Sequence, residues 1–317
     1  MLGPTPRPGR RKRKRQSKSV AAPRVSAIKE REEKPPTPAE DGDWDLLPQC
    51  PGPKLGPFLP KPTNIQYVEY ISDPEESGDS CVFEVLIHGK RYALKVFKFQ
   101  EKEFYDYDNW LHTGPGYHPE RIPADETLPM AHLDPFFSEC RAYGAIIDHG
   151  LNGIITPPCY GYLMLSEADE EHLLDEYGLN ADDWNRDLLE PADAGLPLRA
   201  LVKELMPDGP QFTPDQVHPM LKDLKTLHRI GIFLGDELAD RNYRFGKLFD
   251  FSRAMVKPHV KLSYGLLERE HIGHLETVDL REFDYMLRDS NIKTKYRATA
   301  NPEYVYKLRD RGRSIWS

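Results

Sequence analysis

Three polar side chains in the second half of the chain have the residue types that phosphoryl transfer requires. Asp236, Asn242 and Asp250 follow one another between residues 226 and 252, and Asp250 begins an Asp-Phe-Ser triplet. In this reaction one carboxylate orients the attacking hydroxyl, while an amide and a second carboxylate hold Mg²⁺. The three residues are therefore candidates for these roles.

Lys95 and Glu139 form a second candidate pair upstream. Lys95 lies inside the apolar run YALKVFKF, where an ammonium group costs free energy unless it meets a nucleotide phosphate or a carboxylate. Glu139 lies on a predicted helix and is the obvious carboxylate. The alternative is a lysine at the strand edge that extends to solvent.

The elements around Asp236 and Asp250 can be predicted from turn and capping residues. Residues 243–245 and 247–249 are apolar-aromatic runs joined at Gly246, which indicates a short hairpin. A capping box at residues 213–216 precedes apolar residues at helical spacing that end near Gly231. A helix therefore leads into the candidate loop, and a hairpin presents Asp250.

The first half of the chain has the alternation typical of strands. Five strands are predicted, at residues 65–71, 81–87, 91–99, 159–165 and 199–206, the first three as an antiparallel meander. The Asp134-Pro135 pair is expected to cap a helix. Its predicted apolar side consists of Phe136, Phe137, Cys140, Tyr143 and Ile147.

Further helices are predicted from caps and composition. Thr277 is expected to cap the run VDLREFDYMLRD, and Asn301-Pro302 to start a last helix. The acidic segment 166–195 is expected to contain a surface helix, with Trp184 packing that segment onto the body.

Composition separates a tail from the folded part of the chain. Residues 1–63 hold 13 of the 29 prolines and almost no apolar periodicity, which predicts a disordered tail and linker with the packed chain starting near Asn64. The fold class predicted for the rest is α+β. The expected regions are a β-rich first lobe at 64–206, with insertions at 100–133 and 166–195, and a helical second lobe at 207–317.

Charge is divided unevenly between the same two parts. Residues 1–34 carry 12 Lys and Arg against 3 Glu, whereas the whole chain has a net charge of −8. The acidic body repels nucleic acid, so nonspecific DNA contact would have to come through the tail. The run at residues 10–15, RRKRKR, has the form of a nuclear-import signal that an import receptor would bind. The alternative is a solvated basic tail without a function.

The cysteines and the hydropathy pattern argue against several classes of protein. Cys50, Cys81, Cys140 and Cys159 lie far apart without CxxC spacing, which favours buried thiols over a zinc site or a disulfide framework. No apolar run is long enough to cross a bilayer, and the N-terminus lacks the apolar segment of a secretory signal. We expect a soluble, intracellular protein.

Taken in order, these features resemble those of the protein-kinase-like superfamily. The chain is more closely similar to the fungal kinetochore subunit family of kinase-like domains, the Fta type of the Sim complex, over roughly residues 64–260. The segments that carry this resemblance are RYALKVFKF, FFSECRAYGAI, PPCYGYLML, LVKELMPD, LKTLHRIGI and RNYRFGKLFDFSRA, together with the basic tail.

The resemblance implies a two-lobed kinase-like fold, ATP and Mg²⁺ as cofactors, kinetochore-complex proteins as partners, and a nuclear location. In the implied site, Lys95 contacts the nucleotide phosphates and Glu139 orients Lys95. Asp236 is the catalytic base, and Asn242 and Asp250 bind Mg²⁺. Backbone groups of Glu204, Leu205 and Met206 contact the adenine, and Gly78 lies in the phosphate loop.

Two departures from the kinase pattern bear on activity. Gly78 is the one glycine between residues 72 and 80, where Asp73, Glu75, Glu76 and Asp79 would repel ATP. Asn242 follows Asp236 by six residues where the kinase pattern has five, so the chain must bulge between them. We therefore favour a kinetochore subunit that acts mainly through partner binding, with weak or lost phosphotransfer. The alternatives are an active atypical kinase for a protein or small molecule, and a DNA-associated protein that binds through its tail.

Overall fold

A mixed α+β fold built on an antiparallel sheet is seen in the computed structural model, which describes residues 47–48, 50–72, 78–106, 117–125, 127–191, 193–235 and 238–299. Within these ranges the main sheet has five strands in the order β1-β2-β3-β5-β4. They are β1 (Gln66–Tyr70), β2 (Ser80–Ile87), β3 (Lys90–Phe97), β4 (Cys159–Met164) and β5 (Arg199–Lys203). The predicted five-stranded sheet is confirmed, although β5 ends at Lys203 rather than at residue 206.

Strand register places two lysines on one face of this sheet. His88 and Gly89 both have positive φ, the geometry of a two-residue hairpin turn, and this turn fixes the pairing of β2 with β3. In the next pair, Lys95 lies opposite Leu201 and Ala93 opposite Lys203. Because side chains alternate along a strand, Lys95 and Lys203 point to the same side.

The longer helices follow the sequence patterns, whereas the three short ones in the described ranges were not predicted. The helix bounds are α1 (Leu128–Leu133), α2 (Pro135–Asp148), α3 (Glu167–Tyr177), α4 (Val217–Arg229), α5 (Val260–Ser263), α6 (Arg269–Leu275) and α7 (Val278–Asp289). Asp134 caps α2 as predicted, because its Oδ1 accepts hydrogen bonds from the backbone N–H groups of Phe136 and Phe137. The last predicted helix, from Asn301, lies outside the described residues.

Two details of the helix predictions are wrong. Ile147 is 41% exposed and Ile146 is fully buried in its place, since both lie at helical spacing from Tyr143 and only the packing chooses between them. Thr277 directly precedes α7 as predicted, but its side chain makes no capping hydrogen bond, because its hydroxyl donates to backbone carbonyls at the end of α6.

The short strands belong to two small ribbons. β7 (Tyr243–Arg244) pairs with β8 (Lys247–Leu248) as the predicted hairpin, and β6 (Ile232–Phe233) pairs with β9 (Met255–Val256). Phe245 and Gly246 both have positive φ in the turn of the hairpin, as such a turn requires.

The main sheet is covered on both faces. One face packs on α2, and the buried Phe97, Leu201 and Tyr143 belong to this core. The other face is covered by the acidic segment 166–195, from which Leu173 and Trp184 are fully buried. The predictions of a surface helix in this segment and of a packed Trp184 are confirmed.

The packed chain begins earlier than the predicted boundary near Asn64. Leu55 and Phe58 are buried, and Phe58 N donates to Tyr162 O at 2.9 Å, which adds this segment to the edge of β4. We call residues 50–58 the N-terminal strap. Because the strap is rich in proline, it shows no apolar alternation from which a strand could be predicted. Prolines are nevertheless compatible with an extended segment at a sheet edge that pairs through few hydrogen bonds.

Two further sequence predictions can be compared with the fold. All four cysteines are buried and free, as expected. No helix in the described ranges combines the length and the apolar composition that crossing a bilayer requires.

Candidate functional site

A cavity of about 520 Å³ opens between the main sheet and the loops that follow α4. Most of the site residues suggested by the sequence line it. They are Gly78, Lys95, Glu204, Leu205, Met206, Asn242 and Asp250. Glu139 lies directly behind Lys95, whereas Asp236 lies outside the described residues. A cavity of this volume is in the range that small-molecule ligands occupy.

Four charged side chains meet at the back of this cleft, three of them buried and that of Asp250 partly exposed. Lys95 Nζ lies 2.8 Å from Glu139 Oε2 and 2.8 Å from Asp250 Oδ1. Lys203 Nζ donates to Glu139 Oε1 and, at 2.8 Å, to the backbone carbonyl of Phe249. We call Lys95, Glu139, Lys203 and Asp250 the charge cluster. Its two ammonium groups balance its two carboxylates, and the alternative of a solvent-directed Lys95 is excluded by these contacts.

The pairing keeps Lys95 and Asp250 ionised. Burial alone would lower the pKa of Lys95, but Asp250 and Glu139 outweigh burial and raise that pKa above its ordinary value. Burial would raise the pKa of Asp250, but Lys95 and then Lys203 hold it below its usual range. Lys95 and Asp250 are therefore both charged at neutral pH.

The two residues suggested as metal ligands already accept hydrogen bonds. Asn242 ends a 3₁₀ turn (Asp240–Asn242), and its side-chain Oδ1 accepts from the backbone N–H of Ala239 at 2.9 Å. Asp250 Oδ1 accepts from Ser252 N at 3.1 Å as well as from Lys95. The part of the chain that the structure describes contains no cluster of three or more His, Cys, Asp or Glu side chains suited to a metal ion.

Two buried contacts fix the loops that carry these residues. Phe251, which follows Asp250, packs edge-on against Tyr143 of α2 with ring centroids 5.4 Å apart. Asp279 of α7 is fully buried, and its Oδ2 is bonded by His228 Nε2 at 2.8 Å and by Leu234 N at 3.1 Å. The segment at Leu234 is thus held by a carboxylate that lies 45 residues later in the chain.

The carboxylates expected to repel ATP are only partly described. Asp79 lies at the cleft and forms a two-point ion pair with Arg253, at 2.7 and 2.9 Å, which neutralises its charge. The other three, Asp73, Glu75 and Glu76, lie outside the described residues. The repulsion expected from Asp79 is therefore offset within the fold.

Sequence reasoning missed Lys203 and Asp279. The argument that singled out Lys95 applies equally to Lys203, which lies in an apolar strand and is 6% exposed. Asp279 had a weaker signal, because an acidic residue in the first turn of a helix is commonly explained by the helix dipole. Its role depends on a contact 45 residues back in the chain.

The fold and the site define a mixed α+β protein whose cleft is organised around buried ion pairs. The sequence profile of the kinetochore Sim4 complex subunit FTA2 family matches residues 44–255, which is more than half of the chain. The chain therefore belongs to this family of kinetochore complex subunits. No curated protein matches the chain significantly. The matched range includes the N-terminal strap and all four residues of the charge cluster.

Proposed function

We propose that the protein is a kinetochore-complex subunit that acts mainly through partner binding, on a kinase-like domain whose phosphotransfer is weak or lost. The observation that carries the proposal is the charge cluster. Each of its four charges is already satisfied by a neighbour in the fold, so the cleft is held together without a ligand.

The kinase-like assignment is supported by the order of the parts. A lysine in the third strand pairs with a glutamate on the next long helix, and an Asp-Phe-Ser triplet follows a short hairpin after a further helix. In protein kinases a strand lysine, a helix glutamate and a metal-binding aspartate occur in this order. Under this assignment the cleft binds ATP, with the backbone at Glu204–Met206 on the adenine.

An active ATP-dependent and Mg²⁺-dependent phosphotransferase is the second candidate. It is favoured by one observation, which is that Lys95, Asn242 and Asp250 line the same nucleotide-sized cavity. Asp236 would serve as its catalytic base. Against this candidate, Asn242 and Asp250 both accept hydrogen bonds from neighbouring groups, and Asp250 is bound to an ammonium group.

Phosphate transfer and assembly separate the two candidates. The purified full-length chain and its Asp250→Asn variant are incubated with Mg²⁺ and labelled ATP, alone and with the other subunits of the complex. We expect both forms to join the complex equally and neither to show transfer above background. Robust transfer that Asp250→Asn abolishes, in a variant with unchanged melting temperature, would establish the enzyme instead. Asn242→Ala provides the same comparison if Asp250→Asn fails to fold.

A nuclear location is part of the same proposal. The family places the chain among kinetochore subunits, and the basic run at residues 10–15 supplies a sequence that an import receptor would bind. Replacing the six basic residues by alanine should move a fluorescent fusion out of the nucleus. Any nonspecific DNA binding should also be lost in this variant and should weaken steeply with salt in the natural chain.

A further inference from the structure

We infer that the cleft binds a nucleotide or a related phosphate-bearing ligand without a divalent cation, with Lys203 supplying the positive charge that a metal would otherwise bring. The inference rests on the proposed assignment of the cleft as a nucleotide site. It concerns the positive charge in the wall of the cleft that a bound phosphate group would contact, and no sequence motif specifies that charge.

One oxygen of each residue suggested as a metal ligand is engaged by donors of the protein. Asn242 Oδ1 binds the N–H group of Ala239, and Asp250 Oδ1 binds both Lys95 and Ser252 N. Mg²⁺ demands a nearly ideal octahedron of oxygens at short distance. A metal on these two Oδ1 atoms would displace Lys95 from Asp250 and leave Ala239 N without its acceptor, so the pair of oxygens does not fit a resident metal.

The charge balance points the same way. The charge cluster is neutral as it stands, because Lys203 adds a second ammonium group to a site where the sequence had suggested Lys95 alone. A divalent cation beside Asp250 would be repelled by the ammonium group of Lys95, which lies 2.8 Å from Asp250 Oδ1, and by that of Lys203. Lys203 thus balances a carboxylate charge that a metal would otherwise balance, and its ammonium group repels an entering cation.

Arginine side chains provide further positive charge for an anionic ligand. Arg241 and Arg244 line the cleft. Arg244 donates to the backbone carbonyl of Gly209, and because a carbonyl is neutral, this contact does not balance the charge of Arg244. Among the described residues, Arg241 has no ion-pair or hydrogen-bond partner. Guanidinium groups bind phosphate oxygens at two points and need no metal to do so.

Titration of the full-length protein with ATP and with ADP, in excess EDTA and in excess Mg²⁺, tests the inference. In the natural chain we expect the dissociation constant in EDTA to equal or fall below that in Mg²⁺. Lys203→Met should weaken binding in EDTA by about tenfold or more, the equivalent of one charge-assisted contact. Lys90→Met, a matched change at the exposed start of β3, should bind as the natural chain does.

Binding that requires Mg²⁺, or that is unchanged by Lys203→Met, would overturn the inference. If Lys203→Met unfolds, Lys203→Gln keeps a hydrogen-bond donor and replaces it, and the comparison of the two media in the natural chain needs no variant. Absence of nucleotide binding in both media also overturns the inference, yet it leaves the partner-binding function intact. That function fails only if the chain does not join the complex.

Discussion

Glu139 is the residue on which the charge cluster depends most. It is fully buried, and its two oxygens each bind a different ammonium group, those of Lys95 and Lys203. Removing one partner from a buried ion pair leaves an uncompensated charge and is far more costly than the pair is stabilising. The carboxylate is therefore needed for folding, whether or not the cleft binds a ligand.

Replacing Glu139 by Gln should lower the free energy of unfolding by about 3–5 kcal/mol, the range for breaking a buried pair. The reason is that two buried ammonium groups lose their shared counter-charge. Urea denaturation followed by circular dichroism measures the loss. Glu171→Gln, at an exposed position of α3, is the matched control and should be neutral. Equal stability of the two variants would mean that the ion pairs contribute nothing to the fold.

Residue types along the chain were sufficient to find Lys95, Glu139 and Asp250, because each is unusual in its own local setting. They could not reveal that Lys203 shares Glu139, since this contact joins residues 64 positions apart. Nor could they show that Ala239 engages Asn242, because an Asn side chain can serve as a metal ligand or accept a hydrogen bond from a nearby backbone N–H group.

At the scale of elements, the backbone of the N-terminal strap packs directly against a glycine of α2. A Cβ at Gly144, on α2, would lie 2.6–2.8 Å from backbone atoms of Lys54, and a Cβ at Gly161, on β4, 2.5–2.7 Å from backbone atoms of the strap. Such distances are too short for any side chain. The strap thus lies across the helix that carries Glu139.

Gly144→Ala should displace the strap and cost about 1–3 kcal/mol, the usual range for overpacking. In an ordinary helix this change is favourable by up to about 1 kcal/mol, so a loss identifies the clash with Lys54. Limited trypsin digestion with mass spectrometry should show faster cleavage after Lys54. Gly273→Ala, on α6 with open space around it, is the control. Unchanged cleavage would show that the strap does not depend on this contact.

Two buried imidazoles join α1 to the start of α5. His259 Nε2 donates to the His132 carbonyl at 3.0 Å, and Val260 N donates to His132 Nδ1 at 3.2 Å. Burial, and then the nearby Arg141, lowers the pKa of His132 to about 3, and burial lowers that of His259 well below its ordinary value. Both rings are therefore neutral in the fold at neutral pH.

Stability should fall on acidification because these histidines take up protons only when the chain unfolds. The unfolded histidines titrate near pH ~6.5, so their contribution is complete above that pH and decreases as the pH falls toward 3, by up to about 1.4 kcal/mol per pH unit for each ring. Urea midpoints measured from pH 7 to pH 4.5 should show this slope. His132→Asn, which keeps an acceptor for Val260 N, should reduce it, whereas the exposed His271→Asn should not. An identical slope in His132→Asn would contradict the assignment.

At the scale of the whole molecule, the position at which the packed chain starts is decided by the strap. Leu47, Leu55 and Phe58 contribute to the two main cores even though they precede every strand of the sheet. The family profile also starts before the strap, at residue 44. A boundary at Asn64, as composition suggested, divides the folded part of the chain.

A chain of residues 47–317 should therefore be stable, and one of residues 64–317 should not. The shorter chain loses three buried apolar side chains, each of which contributes about 1.5–3 kcal/mol on burial. Thermal melting of the two proteins measures the difference. Supplying residues 47–63 as a separate peptide should raise the melting temperature of the shorter chain. Equal melting temperatures without peptide would show that the strap is dispensable.

The sequence by itself determined the elements and the chemistry of individual positions, since strand alternation, helix spacing and capping residues act over a few neighbours. It also singled out a lysine, a glutamate and an aspartate, Lys95, Glu139 and Asp250, as charged residues in unusual local settings. Only the tertiary structure decided which of these charges balance one another. Lys95 meets Asp250 across 155 residues, and Lys203 completes the cluster, because pairing of distant charges depends on how the whole chain packs.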